Sequence, residues 1–285
     1  MKRWDNKLPV YVTAVVVALV LALPMTRIVK VEGQGGDPRN AKPSSTPPSK
    51  SGAPARKPNA PAFRPQNPNI ELVRIPPGNF MMGTNGGFIF EKPVHQVTIN
   101  YSFYMGRYEV TQRQWLAVMG NNPSSFKDCD NCPVEQVSWN DAQNFIRRLN
   151  QMRDGYTYRF PTEAEWEYAC RAGTTGDYAG DVKEMAWSLE NSGHRTHAVG
   201  SKRSNGWGLA DMSGNVGEWC EDLYQIGYDE APSDGSAYLS HGESRVLRGG
   251  SWEDDATSST FRYSALPDKR SSDIGFRVVA VAPTK

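Results

Sequence analysis

The stretch Asn205–Asp222 reads NGWGLADMSGNVGEWCED. Its glycines permit backbone conformations with positive φ and close approach of neighbouring chain. Between them stand two carboxylates, Asp211 and Glu218, separated by a tight turn. Trp207 and Trp219 flank the turn and are large enough to anchor it in a core. A loop lined by carboxylates and backbone carbonyls suits a hard cation such as calcium. The same residues also suit a structural turn with solvated acids, because the spacing is not that of an EF-hand.

Around this stretch the chain has 285 residues and a formal net charge of +1, so bulk charge suggests no nucleic-acid partner. Eight tryptophans and 26 glycines point to a loop-rich fold pinned by aromatic side chains. Residues 1–69 do not read as globular. A basic segment, 1–7, precedes the apolar run LPVYVTAVVVALVLALPM of Leu8–Met25. That run is long for a signal-peptide core and reaches the lower bound for a membrane span, and no small-residue cleavage site follows it. The expectation is a signal anchor over 8–26 in an inner membrane of bacterial type, single pass, with the domain in the periplasm or outside; secretion after cleavage is the alternative. Residues 27–69 are rich in Pro, Ser, Gly, Lys and Asn and have too few aliphatic side chains to offset the entropy of ordering, so they read as a spacer.

The folded part, 70–285, opens with strands expected at Ile70–Ile75, Asn79–Met82, Val94–Ile99 and Phe103–Tyr108. Three helices are expected. Thr111 caps the first, through Met119, with Gln114 closing a capping box. Ser138 or Asn140 caps the second, Asn140–Arg153. Thr162 and Glu165 box the third, Thr162–Arg171. A last strand, Gly275–Val281, is expected to pair back into the sheet. Cys129 and Cys132 form a CxxC that does not open a helix, and Pro133 follows it; a local disulfide is the expected state in an exported chain. Cys170 reads as a small buried hydrophobe that Cys220 could reach.

The ordered blocks IPPGNFMMG, YEVTQRQW, PVEQVSWNDA, RFPTEAEWEYACRAG, NGWGLADMSGNVGEW, RVLRGGSW and IGFRVV together resemble the sulfatase-modifying-factor family, whose best-known member is the formylglycine-generating enzyme. The resemblance spans Ile70 to Val281. It implies an α+β fold, C-type-lectin-like, with little regular secondary structure and metal-stabilised loops. It also implies a structural calcium ion held by the side chains of Asp211 and Glu218 and the backbone carbonyls of Gly214 and Val216. The family's first calcium site, from an Asn-containing segment after the third helix, is not carried over, because Trp187 stands where the Asn is expected.

The oxidase members carry two cysteines shortly after the RGGS block, and these hold copper(I). Here that segment reads RGGSWEDDATSSTFRYSA, with Asp254 and Ser258 or Ser259 near the thiol positions and no cysteine after Cys220. Carboxylates and hydroxyls are hard donors that do not hold Cu(I), so copper is not expected. The functional expectation is a membrane-tethered, non-oxidase member that binds a peptide or another cell-envelope component in a groove at Arg248, Gly249, Gly250, Ser251, Trp252, Asp254 and Ser259, with no catalytic residue assigned. A formylglycine-generating oxidase acting on sulfatase cysteines and a lectin-like carbohydrate binder are the alternatives. A sulfoxide synthase would need a histidine cluster that four scattered histidines do not supply.

Overall fold

The computed structural model describes residues 63–255 and 258–282, all within the compact unit Asn59–Lys285. The expected anchor (8–26) and most of the expected spacer lie outside the described residues. Among the described residues no helix is long and apolar enough to cross a membrane.

Strands β1 (Leu72–Ile75), β2 (Gly78–Met82), β3 (His95–Ile99) and β4 (Phe103–Gly106) come first. Helices α1 (Gln112–Met119) and α2 (Trp139–Gln151) follow, then β5 (Thr157–Arg159), α3 (Glu163–Arg171) and the short α4 (Val182–Met185). The chain ends with β6 (Gly217–Leu223), β7 (Arg245–Arg248), β8 (Arg262–Ala265), β9 (Ile274–Gly275) and β10 (Val279–Val281). One four-stranded sheet has the order β1-β4-β10-β5, another the order β8-β7-β6-β9, and β2-β3 is a separate hairpin. The long stretches between α3 and β6 and between β6 and β7 carry little regular structure, as the glycine and tryptophan content implies.

The three expected helices form, and their caps explain where each begins. The hydroxyls of Thr111, Ser138 and Thr162 accept from the backbone N–H of Gln114, Asp141 and Glu165, and each third residue's side chain accepts from the N–H of the cap residue. Each cap contributes about 1 kcal/mol. Ser138 rather than Asn140 is the cap of α2, so that helix starts one residue earlier than expected. Its face Ala142, Phe145, Ile146 and Leu149 packs with Trp115 and Phe276, the rings of Trp115 and Phe145 stacking at 5.4 Å.

The last strand departs from expectation. Ile274–Gly275 runs parallel to β6, whereas Val279–Val281 pairs antiparallel with β4 and β5. Every residue from Ile274 to Ala280 is buried, so the segment threads the interior between the two four-stranded sheets and exposes neither face. The apolar run in the sequence therefore marks burial on all sides, with Arg277 as its one charge.

Candidate functional site

The loop between Leu209 and Gly217 brings the two expected acids into the interior. Asp211 is 2 % exposed and Glu218 is 0 % exposed. Asp211 (φ 56°) and Asn215 (φ 64°) adopt left-handed backbone, uncommon for residues with a side chain, and the surrounding bonds hold them there. Gly214 (φ 79°) crosses so close to the backbone of Trp187 that any β-carbon would collide with that carbonyl. Asn215 donates from Nδ2 to Glu109 Oε2 at 2.8 Å, and the Val216 N–H donates to Glu109 Oε1 at 3.1 Å.

Glu218, the second residue of β6, does not stand free beside this loop. Arg277 grips it side-on, from Nε to Oε2 and from Nη2 to Oε1, both at 2.6 Å, and Trp166 Nε1 donates to Oε2 at 2.7 Å. Arg277 also donates to the carbonyls of Gly106, Ala210 and Asp211. Glu109, Asp211 and Glu218 thus share one buried cation. Burial, then the neighbouring carboxylates, pushes Glu109 well above the usual carboxylate range; burial pushes Asp211 up to about 6. Asp211 Oδ2 accepts from the Gly200 N–H at 2.6 Å, whereas Oδ1 is buried with no hydrogen-bond partner among the described residues.

These facts bear on the calcium expectation. Among the described residues no group of three His, Cys, Asp or Glu side chains is arranged to hold a metal ion. The orphaned Oδ1 of Asp211 and the excess of buried negative charge fit a cation, and calcium can complete such a shell with carbonyl oxygens. Glu218 brings less than expected, because Arg277 already neutralises it. Trp187, which stands where the resemblance leads one to expect an Asn, takes part in a ring stack. Trp187 lies 3.7 Å from the His197 ring, nearly parallel, with Lys202 Nζ 4.3 Å from the Trp187 centroid.

The RGGSW block is more buried than a groove wall. Arg248 is 0 % exposed. Its Nη2 donates to Glu167 Oε2 at 2.7 Å and its Nη1 to Glu163 Oε1 at 3.1 Å. Arg262 holds Glu163 from a second side at 2.6 and 2.7 Å, and Arg171 Nε donates to Glu167 at 2.9 Å. The acids of α3 therefore point inward beside Ala164, Trp166 and Ala169, and the whole helix is buried. Burial opposes charge on Glu163, yet the Arg262 and Arg248 guanidiniums hold its carboxyl below the usual range. Gly249, Gly250, Ser251 and Ser259 are buried too, and Trp252 is half-buried with Nε1 donating to the Ser272 carbonyl at 3.0 Å.

Of the expected groove residues, Asp254 lines an open cleft of about 510 Å³. Its other walls come from the segment Thr84–Glu91, from Asp177 and Tyr178, and from Asp255, Ser258, Thr260 and Phe261. Glu91 shapes the wall, accepting from the Phe88 N–H at 2.6 Å and the Thr260 hydroxyl at 2.7 Å. The Phe88 ring stacks on Phe90 at 5.1 Å and is 64 % exposed. Burial raises the Asp254 carboxyl above its ordinary value, partly offset by the Ser251 hydroxyl that donates to it at 2.8 Å. The sequence reading missed Glu91, Phe88 and Asp177, which no motif marks and only the fold brings together. It also missed Glu109 and Arg277, although a lone arginine in the apolar run IGFRVVAV signals a buried partner.

Cys129 and Cys132 are disulfide-bonded, as their spacing suggests. Cys170 and Cys220 do not pair; both are buried and free. Burial pushes the Cys170 thiol up to about 11 and Cys220 well above its ordinary value.

This fold, with its buried GNVGEW loop and RGGSW hub, defines a class. The family model described as "Sulfatase-modifying factor enzyme 1-like domain" matches residues 57–282. The chain belongs to the sulfatase-modifying-factor family, and its fold is that family's α+β, loop-rich architecture. It is similar to chaperone protein LppX of Paenibacillus barcinonensis, 31 % identical over 62 % of this chain and 79 % of that protein. It also resembles the formylglycine-generating enzyme of Streptomyces coelicolor, 36 % identical over 52 % of each chain. Among solved structures, PvdO from Pseudomonas aeruginosa superposes with a TM-score of 0.70 at 31 % identity, covering 76 % of this chain and 97 % of that one.

Proposed function

We propose that this protein is a non-oxidase member of the family, a binding module whose cleft beside Asp254 takes an extended peptide bearing a positive charge. The observation that carries the reading is the make-up of that cleft. Glu91, Asp177, Asp254 and Asp255 line it with Phe88 and Phe261, and among the described residues no Lys or Arg lines it. Acids close to aromatic faces favour a guanidinium or ammonium group, through charge and through the ring quadrupole. Fluorescence anisotropy with a labelled Arg-containing peptide and its neutral counterpart tests this. The charged peptide should bind more tightly, with an affinity that falls as salt rises. Asp254→Asn with Asp255→Asn should weaken it by roughly fivefold. Equal binding of both peptides, or indifference to the double substitution, sinks the reading.

Calcium is proposed as a structural ion on the Asp211 side of the buried loop. Asp211, Glu218 and the carbonyls of Gly214 and Val216 would hold it, and it would supply positive charge where one arginine faces three carboxylates. An ion bound only by the folded state raises stability by about 2.7 kcal/mol at a hundred times its dissociation constant. Thermal melts should therefore rise with calcium and fall with chelator. Identical midpoints, or a shift that survives in Asp211→Ala, would rule the ion out.

A further inference from the structure

We propose that a second cleft, between the entering segment Gln66–Glu71 and the start of α1, is a binding site for a neutral oligosaccharide. It encloses about 690 Å³ and shares no lining residue with the cleft at Asp254. That volume lies within the roughly 300–1,000 Å³ common for ligand sites.

The lining chemistry selects the ligand class. Five carboxamides face the space: Gln66, Asn67, Asn69, Gln114 and Asn131. Each carboxamide offers donors and an acceptor together, which matches hydroxyl and acetamido groups. Charge nearly cancels. Glu71 is engaged by Arg107 at 3.5 Å, which leaves Arg113 as the one charged side chain of the lining that pairs with none of the described residues. One arginine is too little for a polyphosphate or nucleic acid, and the apolar lining residues Pro68, Tyr108, Ala117, Ala198 and Val199 suit the apolar face of a sugar ring as the carboxamides suit its hydroxyls.

The groups that would meet a sugar are unspent. Among the described residues none bonds to the Gln114 Nε2, the Asn131 carboxamide, the Tyr108 hydroxyl or the Arg113 guanidinium. The walls that carry them are nonetheless fixed. The Gln66 N–H donates to the Ala117 carbonyl at 2.9 Å, tying the entering segment to α1. The Asn69 N–H donates to Asn67 Oδ1 at 2.8 Å. Asn131 sits inside the Cys129–Cys132 bridge, and its carbonyl accepts from the Val199 N–H at 2.9 Å. The Tyr108 ring lies against Gly200, where φ is 69° and a β-carbon would strike the ring, and the Arg107 guanidinium packs 5.4 Å from its centroid. Backbone held in this way limits the entropy that the walls lose when a ligand binds.

Isothermal titration of the 285-residue chain with the tetramer of N-acetylglucosamine is the test. Saturable binding is expected in roughly the millimolar range or tighter. Asn131→Ala and Tyr108→Phe, which remove an exposed carboxamide and a hydroxyl without touching the core, should each weaken it by roughly tenfold. Their unfolding transitions should match the parent's. Asp254→Asn, in the other cleft, should leave saccharide affinity unchanged, so failure of the peptide reading does not carry over. No saturation in the millimolar range overturns the proposal. So does binding that is lost in Asp254→Asn and retained in Asn131→Ala, which would place the sugar at the other cleft.

Discussion

Arg277→Met should lower the stability of the domain by about 3–5 kcal/mol, the cost of removing one partner from a buried ion pair. The side chain is 0 % exposed and is the cation against which Glu218 is held. Without it both Glu218 oxygens lose their 2.6 Å contacts, and the carbonyls of Gly106 and Ala210 lose a donor. Trp166 Nε1 alone would remain on the carboxylate. Glu109 and Asp211 would lose the same neutralising charge, so this cluster would hold three buried carboxyl groups and no guanidinium. For a domain of this size each kcal/mol moves the melting point by roughly 2–4 °C, so a fall of roughly 6–20 °C is expected. Arg277→Lys should recover only part of it, since an ammonium cannot make the parallel pair of bonds. Pairing Arg277→Met with Glu218→Leu should recover more, because a lost ion pair costs less than a stranded charge. Denaturant titrations of the three variants decide the matter. A single substitution costing under about 1 kcal/mol would mean that the cluster is neutralised by something other than this arginine.

The second large effect is an absence of turnover. Loaded with copper and given a sulfatase-motif peptide under oxygen, the protein should yield no aldehyde detectable by mass spectrometry. The oxidase chemistry implied by the family rests on two thiolates beside the RGGS block, and soft thiolates are what Cu(I) selects. The sequence there offers Glu253, Asp254, Asp255, Thr257, Ser258, Ser259 and Thr260. The remaining thiols are badly placed to substitute. Cys129 and Cys132 are joined to each other. Cys170 is 2 % exposed, its thiol raised to about 11, and Cys220 is 0 % exposed and raised well above its ordinary value by burial. At neutral pH a thiol with that pKa is ionised in roughly one molecule in ten thousand. Copper-dependent aldehyde that disappears in Cys170→Ser or Cys220→Ser would locate an active site at those buried cysteines and defeat the non-oxidase reading.

The sequence alone determined the family, the starts of the first and third helices and the disulfide, because each depends on short-range chemistry. A capping hydroxyl and its partner three residues on, or two cysteines separated by two residues, meet in almost any fold that keeps the local conformation. Thr111, Thr162 and the Cys129–Cys132 pair follow that rule. The tertiary structure decided where charge sits. Nothing local says that the acids of α3 turn inward, since their partners Arg248 and Arg262 arrive from strands 81 and 99 residues along the chain. Nor could spacing show that Arg248 anchors the core while Asp254, only six positions later, opens onto solvent in the cleft. The same holds for the carboxamide-lined cleft, whose walls come from the entering segment, the disulfide loop and Tyr108. Buried charges must find opposite charges, and the chain can supply them only by long-range pairing, which periodicity and motif spacing do not encode.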